Sequence, residues 1–166
     1  ISPVNSATLL TIGTTKSVEG SIKIDSKGQI DKSNSLMQVN LDDLKSDSSY
    51  RDRYIKNKTL ETNTYKYAKF IPTEAIGMDW PLPISETIEF KLIGDMTIKT
   101  TTKRLTWIIK CSNNGSNLIG KATTEFTFGD FNKKSRGVTC RLYMSFFASC
   151  LDCILYISKI CLTADI

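Results

Sequence analysis

The residues with the most chemistry in this chain are its five cysteines, Cys111, Cys140, Cys150, Cys153 and Cys161. Cys150 and Cys153 have the C-x-x-C spacing of a redox or metal-binding couple. A structural metal site needs four ligands, and here there is neither a second such pair nor any histidine. The pair therefore reads as core packing. The odd count, with four of the five beyond residue 139, is also unlike the even, dispersed framework of a disulfide-stapled module. The absence of histidine removes the usual general base, metal ligand and pH switch together. The sequence carries no Ser-His-Asp or Cys-His arrangement and no glycine-rich phosphate loop. Gly94-Asp95 and Gly129-Asp130 read as turn or bulge sites rather than catalytic acids. Asn57-Lys58-Thr59 and Asn114-Gly115-Ser116 fit the glycosylation acceptor triplet, a pattern common by chance. The expectation is a non-enzyme with no cofactor and no metal.

A second chemical feature is positive charge. Residues 50–72, YRDRYIKNKTLETNTYKYAKFIP, hold six basic residues against Asp52 and Glu61, in a chain of net charge +5. With Tyr50, Tyr54, Tyr65 and Tyr67 interleaved, the stretch imitates a stacking surface for nucleic acid. Its charges do not gather on one alternating strand face, so no nucleic-acid partner is expected. Solvated side chains, or contact with an anionic surface, remain as readings.

These residues must be positioned by strands. The chain has 166 residues, 40% hydrophobic and 23% charged, enough for a single globular core. Period-2 alternation recurs from residue 18 to about 128. Val18, Gly20, Ile22 and Ile24 share one face; so do Met37, Val39 and Leu41, and Ile88, Phe90 and Leu92. Leu105, Trp107 and Ile109 repeat the pattern, as do Ala122, Thr124, Phe126 and Phe128, with Asn114-Gly115 marking a hairpin turn between the last two runs. Short antiparallel strands with one apolar face predict an all-β sandwich or barrel. Residues 50–66 lack alternation and read as a helical turn plus loop after the polar 42–49 segment. Residues 72–86, with three prolines, read as an irregular crossing or long hairpin loop. From residue 139 the chain turns almost wholly apolar, broken by Asp152 and Lys159; it is too interrupted for a membrane span of about 20 residues and reads equally as a helix or as two core strands. Pattern alone leaves open whether Phe90, Trp107, Phe126 and Phe128 line a cavity or fill a core.

The words VEG (18–20), VNLDDLKSDSSYRDRYIKNKTLETNTYKYAKFIP (39–72), GDMTIKTTTKRLTW (94–107) and FTFGDFN (126–132) together carry a resemblance to the YceI-like family, over roughly residues 10–135. The resemblance implies an antiparallel lipocalin-like β-barrel of about eight strands, with a short helical segment near 48–60 crossing its mouth. It implies non-enzymatic binding of an isoprenoid, quinone-type or other long-chain lipid in the lumen, for transport or storage. The alternative is a filled barrel acting as a surface interaction module through residues 50–69. Lumen-lining residues are then expected at Ile22, Val39, Ile55, Leu60, Phe70, Phe90, Leu92, Trp107, Phe126 and Phe128, with Arg51 and Asp52 as a structural pair. The charge run becomes a solvated rim, with peripheral contact to an anionic membrane open to it. A periplasmic or extracellular location is implied, although residues 1–20 show no signal-peptide pattern.

Two departures stand out. Lys99-Thr100 occupies the place of the family's usual His-Gly pair, so no role of that imidazole transfers. After residue 138 the family's closing strand is not recognisable, which gives a barrel domain over 1–138 and an atypical tail over 139–166. Only residues 7–14 offer a first strand, and barrel closure is in question.

Overall fold

The computed structural model describes residues 10–131, 139–149 and 154–165, with side chains over 13–127, 129–131 and 141–147. Nine strands form one antiparallel sheet among the described residues. They are β1 (Leu10–Thr15), β2 (Val18–Ser21), β3 (Leu36–Asn40), β4 (Tyr67–Ile76), β5 (Thr87–Ile98), β6 (Thr101–Asn113), β7 (Asn117–Thr127), β8 (Thr139–Ser149) and β9 (Ile154–Asp165). The order in the sheet is β1-β9-β8-β7-β6-β5-β4-β3-β2. Its two ends, β1 and β2, are separated in the chain only by Lys16 and Ser17, and β2 also lies against β9. The sheet therefore curls until its ends lie against each other, with no ladder between β2 and β9 among the described residues.

Closure thus comes from the two segments the sequence left in doubt. β1 pairs with β9 from Leu10↔Asp165 to Thr15↔Ile160, and β8 pairs with β7 along its whole length. The region beyond residue 139 is strand, not helix, where it is described. Cys150 and Cys153 lie outside the described residues.

The alternation translates directly into faces. Inward-pointing Ile88, Leu92, Met96 and Ile98 of β5 meet Leu105, Trp107 and Ile109 of β6 and Ala122 and Phe126 of β7 in one buried cluster. Outward, opposite charges face each other in register: Asp95 and Arg104 (3.6 Å), Glu89 and Lys110 (3.6 Å), and Glu125 and Arg141 (2.8 Å). Such cross-strand pairs help hold register on a solvated face. At the β6–β7 turn Asn114 Oδ1 accepts hydrogen bonds from Ser116 N (3.0 Å) and Asn117 N (2.7 Å), so this candidate acceptor amide is engaged in the turn itself.

Two expectations need correction. The strand β4 continues to Ile76 and so takes in the first five residues of the proline-rich stretch. Pro72, fully buried, cannot donate to the ladder, and the register with β5 shifts between Pro72 and Glu74. Gly94 is neither a turn nor itself bulged: it sits inside β5 opposite Pro72, where a Cβ would fall 2.4 Å from the Ile71 carbonyl oxygen and 2.5 Å from Phe70 Cζ. The glycine is needed because the Phe70 ring lies across its backbone. The helical segment expected near 48–60 is found there. Helix α1 (Ser49–Tyr54) runs straight into a π-helical turn, Ile55–Leu60, that ends at Glu61 in the left-handed region.

Candidate functional site: an apolar lumen with two unlike ends

The curled sheet encloses a cavity of about 300 Å³, at the small end of ligand-binding pockets. Its walls follow from the alternation. Met37 and Val39 (β3), Phe70 (β4), Leu92 (β5), Trp107 (β6) and Ala122 (β7) make the waist, with Leu142 and Met144 of β8 completing the circuit. The Phe70 and Trp107 rings meet edge-to-face at 5.9 Å. Among the described residues, no charged side chain lines the cavity. Among those residues Asn113 is the only polar one apart from the two tryptophans. The Trp107 indole N–H is buried without a hydrogen-bond partner, which underlines how apolar the waist is.

One end is closed by helix. Ser48 Oγ accepts from Arg51 N (3.3 Å) as the N-cap of α1. The Asp52 carboxylate accepts from Ser46 N (3.0 Å) and Ser46 Oγ (2.5 Å), holding the loop before the helix. Thr62 Oγ1 donates to Asp42 Oδ1 (2.9 Å) just after it. The Lys99 ammonium reaches across from the β5–β6 turn to pair with Glu61 and to donate to the Thr59 carbonyl (3.4 Å), with the Tyr65 ring 5.9 Å away. A lysine at this hairpin tip thus latches the helical segment down. Leu41, Leu44, Leu60 and Ile98 face the lumen beneath it.

The other end is made of loops. Residues 22–31 and 77–86 meet there, contributing Ile22, Ile24, Ile30, Met78, Trp80, Pro81 and Leu82 to the lining. Trp80 joins the two: its Nε1 donates to the Ser26 carbonyl (3.1 Å), and its ring sits where a Cβ on Gly28 would be, 2.6 Å from Trp80 Cγ. Gly28, at φ +81°, serves both the turn and this contact. Asn113 Nδ2 donates to Leu82 O (3.2 Å), and Ser85 N donates to Asn113 O (2.8 Å). In the first loop Asn34 Nδ2 donates to Asp31 Oδ2 (2.7 Å), and that bond holds the Asp31 carboxyl below its usual range.

Of the residues expected in the lumen, Ile22, Val39, Leu60, Phe70, Phe90, Leu92, Trp107 and Phe126 line the cavity. Ile55 does not; it packs half-buried against the core from the π-helical turn. Phe128 lies past the end of β7 in a short 3-10 turn, Phe128–Asp130, and its side chain is outside the described ones. Arg51 and Asp52 are both structural but not partners of each other: adjacent helical residues diverge, and Arg51 Nη1 bonds Asp47 Oδ1 (2.7 Å) while Asp52 holds Ser46. Sequence reasoning missed the loop lining, because irregular segments carry no period. It also missed Leu142, Met144 and Phe146, whose alternation is obscured by apolar Tyr143 and Phe147 on the outer face.

An antiparallel barrel with an apolar lumen, a helix over one end and loops over the other has the lipocalin-like architecture. More narrowly, the chain belongs to the YceI-like domain family, which matches residues 4–150. It is similar to the Campylobacter jejuni YceI protein (12% identity, TM-score 0.63, covering 82% of this chain and 83% of that one). It is also similar to Burkholderia cenocepacia BcnA (11% identity, TM-score 0.57, 93% of each chain). A third similar structure is a polyisoprenoid-binding domain from Saccharophagus degradans implicated in plant cell wall breakdown (11% identity, TM-score 0.53, 94% and 92%). At these identities the likeness is one of fold. No curated protein matches the sequence.

Proposed function

We propose that this protein is a non-enzymatic carrier of an isoprenoid or other long-chain lipid, held in the lumen for transport or storage, and that it works in the periplasm. The observation that carries the reading is the cavity wall: about 300 Å³ lined by aliphatic and aromatic side chains, with no charge and one amide among the described residues. Such a wall offers nothing to a polar substrate, while an apolar chain gains about 25 cal/mol for each Å² withdrawn from water. The family and the polyisoprenoid-binding relative support the same ligand class. An open lumen weighs against the alternative of a filled barrel acting only through its basic segment.

Native mass spectrometry of freshly purified protein, followed by organic extraction, tests the proposal. A co-purifying or readily taken-up isoprenoid or acyl lipid is the expected result. A bare mass, with no uptake of added quinone or polyprenyl lipid, would count against it. Phe90→Asp/Trp107→Asp, if folded by circular dichroism, is expected to lose binding altogether, because charges would enter the waist. Undiminished affinity in that folded variant would remove these two residues from the site.

A further inference from the structure

The loop end carries exposed apolar surface next to residues that line the lumen. Along the segment that leaves β4 and returns to β5, Ile76 is 49% exposed, Trp80 36% and Ile84 62%. Trp80 lines the cavity at the same time, as do its neighbours Met78, Pro81 and Leu82. Apolar side chains of this one segment are therefore found both on the outside of the barrel, at Ile76 and Ile84, and in the cavity wall, with Trp80 in both places. Charge does not concentrate here: residues 22–34 and 77–86 together carry three lysines and four carboxylates. The positive charge lies at the opposite, helical end, in residues 50–69.

We infer that the 76–84 lip is the face with which the protein docks on a lipid bilayer, so that a lipid chain passes from membrane to lumen over Trp80 without crossing water. This rests on the lipid-carrier reading above and adds where, and on what surface, the ligand enters. The physical reason is that a chain crossing water exposes its whole apolar area, a cost proportional to that area. A mouth seated in the interface avoids it. The lip suits that position: a tryptophan with its N–H satisfied by the Ser26 carbonyl and part of its ring outward is an interfacial side chain, and two flanking isoleucines supply insertable area. The balanced charge argues for the bilayer interface itself rather than for anionic head groups or an oppositely charged protein.

The test uses the whole chain and a variant, Ile76→Asp/Ile84→Asp, whose two sites are exposed and outside the cavity lining. The probe is cis-parinaric acid, a fluorescent polyene fatty acid, delivered either from solution or from vesicles of pure phosphatidylcholine. Three results are expected. The wild-type chain floats with these uncharged vesicles and does so equally at low and high salt. The variant loses flotation, and its uptake from vesicles slows by about tenfold or more. Both proteins bind the probe from solution with the same affinity. Equal flotation and transfer by the variant would overturn the inference. So would flotation only with anionic vesicles and only at low salt, which would assign docking to the basic helical end. A wild type that dimerises and loses that dimerisation with the two substitutions, without binding vesicles, would give the lip to a second copy and also overturn it. Failure of the wild type to bind the probe from solution would instead remove the carrier reading itself.

Discussion

The two ends of this barrel are closed by different chemistry. At the helical end the closure is polar and redundant: a capped α1, the Asp52–Ser46 bonds, the Thr62–Asp42 bond and the Lys99–Glu61 latch all surround a buried Leu60. At the loop end a single indole bridges two loops through one hydrogen bond and one close packing contact on Gly28, Asn113 ties the second loop to β6, and among the described residues the first loop is otherwise held only within itself, around Asp25 and Asp31. A closure with many independent ties opens only when all fail, whereas one built on a few opens locally at lower cost. The difference supports the proposal that the loop end, and not the helical end expected from the resemblance, is the mouth.

The largest expected effect comes from putting the same charge under each closure. Leu60→Asp is expected to cost about 3–5 kcal/mol, because a carboxylate would be buried among Leu41, Leu44 and Ile98. Leu82→Asp, at a half-buried loop position, is expected to cost about 1 kcal/mol. Urea midpoints of the two variants measure this, and equal losses would erase the contrast between floor and mouth. Next, Gly28→Ala is expected to destabilise by about 1–2 kcal/mol, since φ +81° disfavours a side chain and the new methyl meets the Trp80 ring. Iodide quenching of tryptophan fluorescence should rise in this variant; unchanged quenching would mean that Trp80 keeps its seat.

A smaller loss, about 1 kcal/mol, is expected for Lys99→Ala, whose ammonium side chain is only 22% exposed and also meets the Thr59 carbonyl. If the latch is what holds the helical segment, amide exchange should quicken over residues 55–60 and not over 22–31. The smallest effect concerns Cys111, buried on β6 two residues before Asn113. Burial pushes its thiol up to about 11 from the ordinary 9.0. In the folded state it therefore stays protonated where the unfolded chain has begun to ionise. The unfolded state then binds fewer protons, so the thiol's contribution to stability falls as pH rises from about 9 towards 11. At pH 8, peptide mapping after alkylation should find Cys111 unmodified in the wild type and labelled in Gly28→Ala. Labelling in both at one rate would show that the loop closure does not guard this thiol.

How much was legible varied by region, for physical reasons. From Thr87 to Thr127 the strand faces were readable except at Gly94-Asp95, because one face is apolar and the other charged, and the charges even pair across strands as Glu89–Lys110 and Asp95–Arg104. The same alternation turned Phe90, Leu92, Trp107 and Phe126 inward, where they line the cavity, but whether that face surrounds a space or fills a core was not in the alternation; the lumen was implied by the family resemblance. Beyond residue 139 the outer face carries Tyr143 and Phe147, so both faces are apolar and the period disappears. Over 72–76 the prolines signalled a loop, yet a proline at a register shift stays within a strand at no cost to the ladder there. Arg51 and Asp52 are adjacent in sequence but diverge on the helix, so a sequence pair became two separate contacts.

The sequence by itself determined the faces of the strands, the hairpin at Asn114-Gly115 and the family, since these depend on local period, turn chemistry and motif order. Only the tertiary structure decided that β1 meets β9 to close the sheet, that Trp80 bridges two distant loops onto Gly28, and that the wall encloses a space instead of collapsing. Each of these joins residues far apart in the chain. Such contacts depend on strand register, curvature and the packing of whole side chains, none of which is expressed in any short stretch of residues.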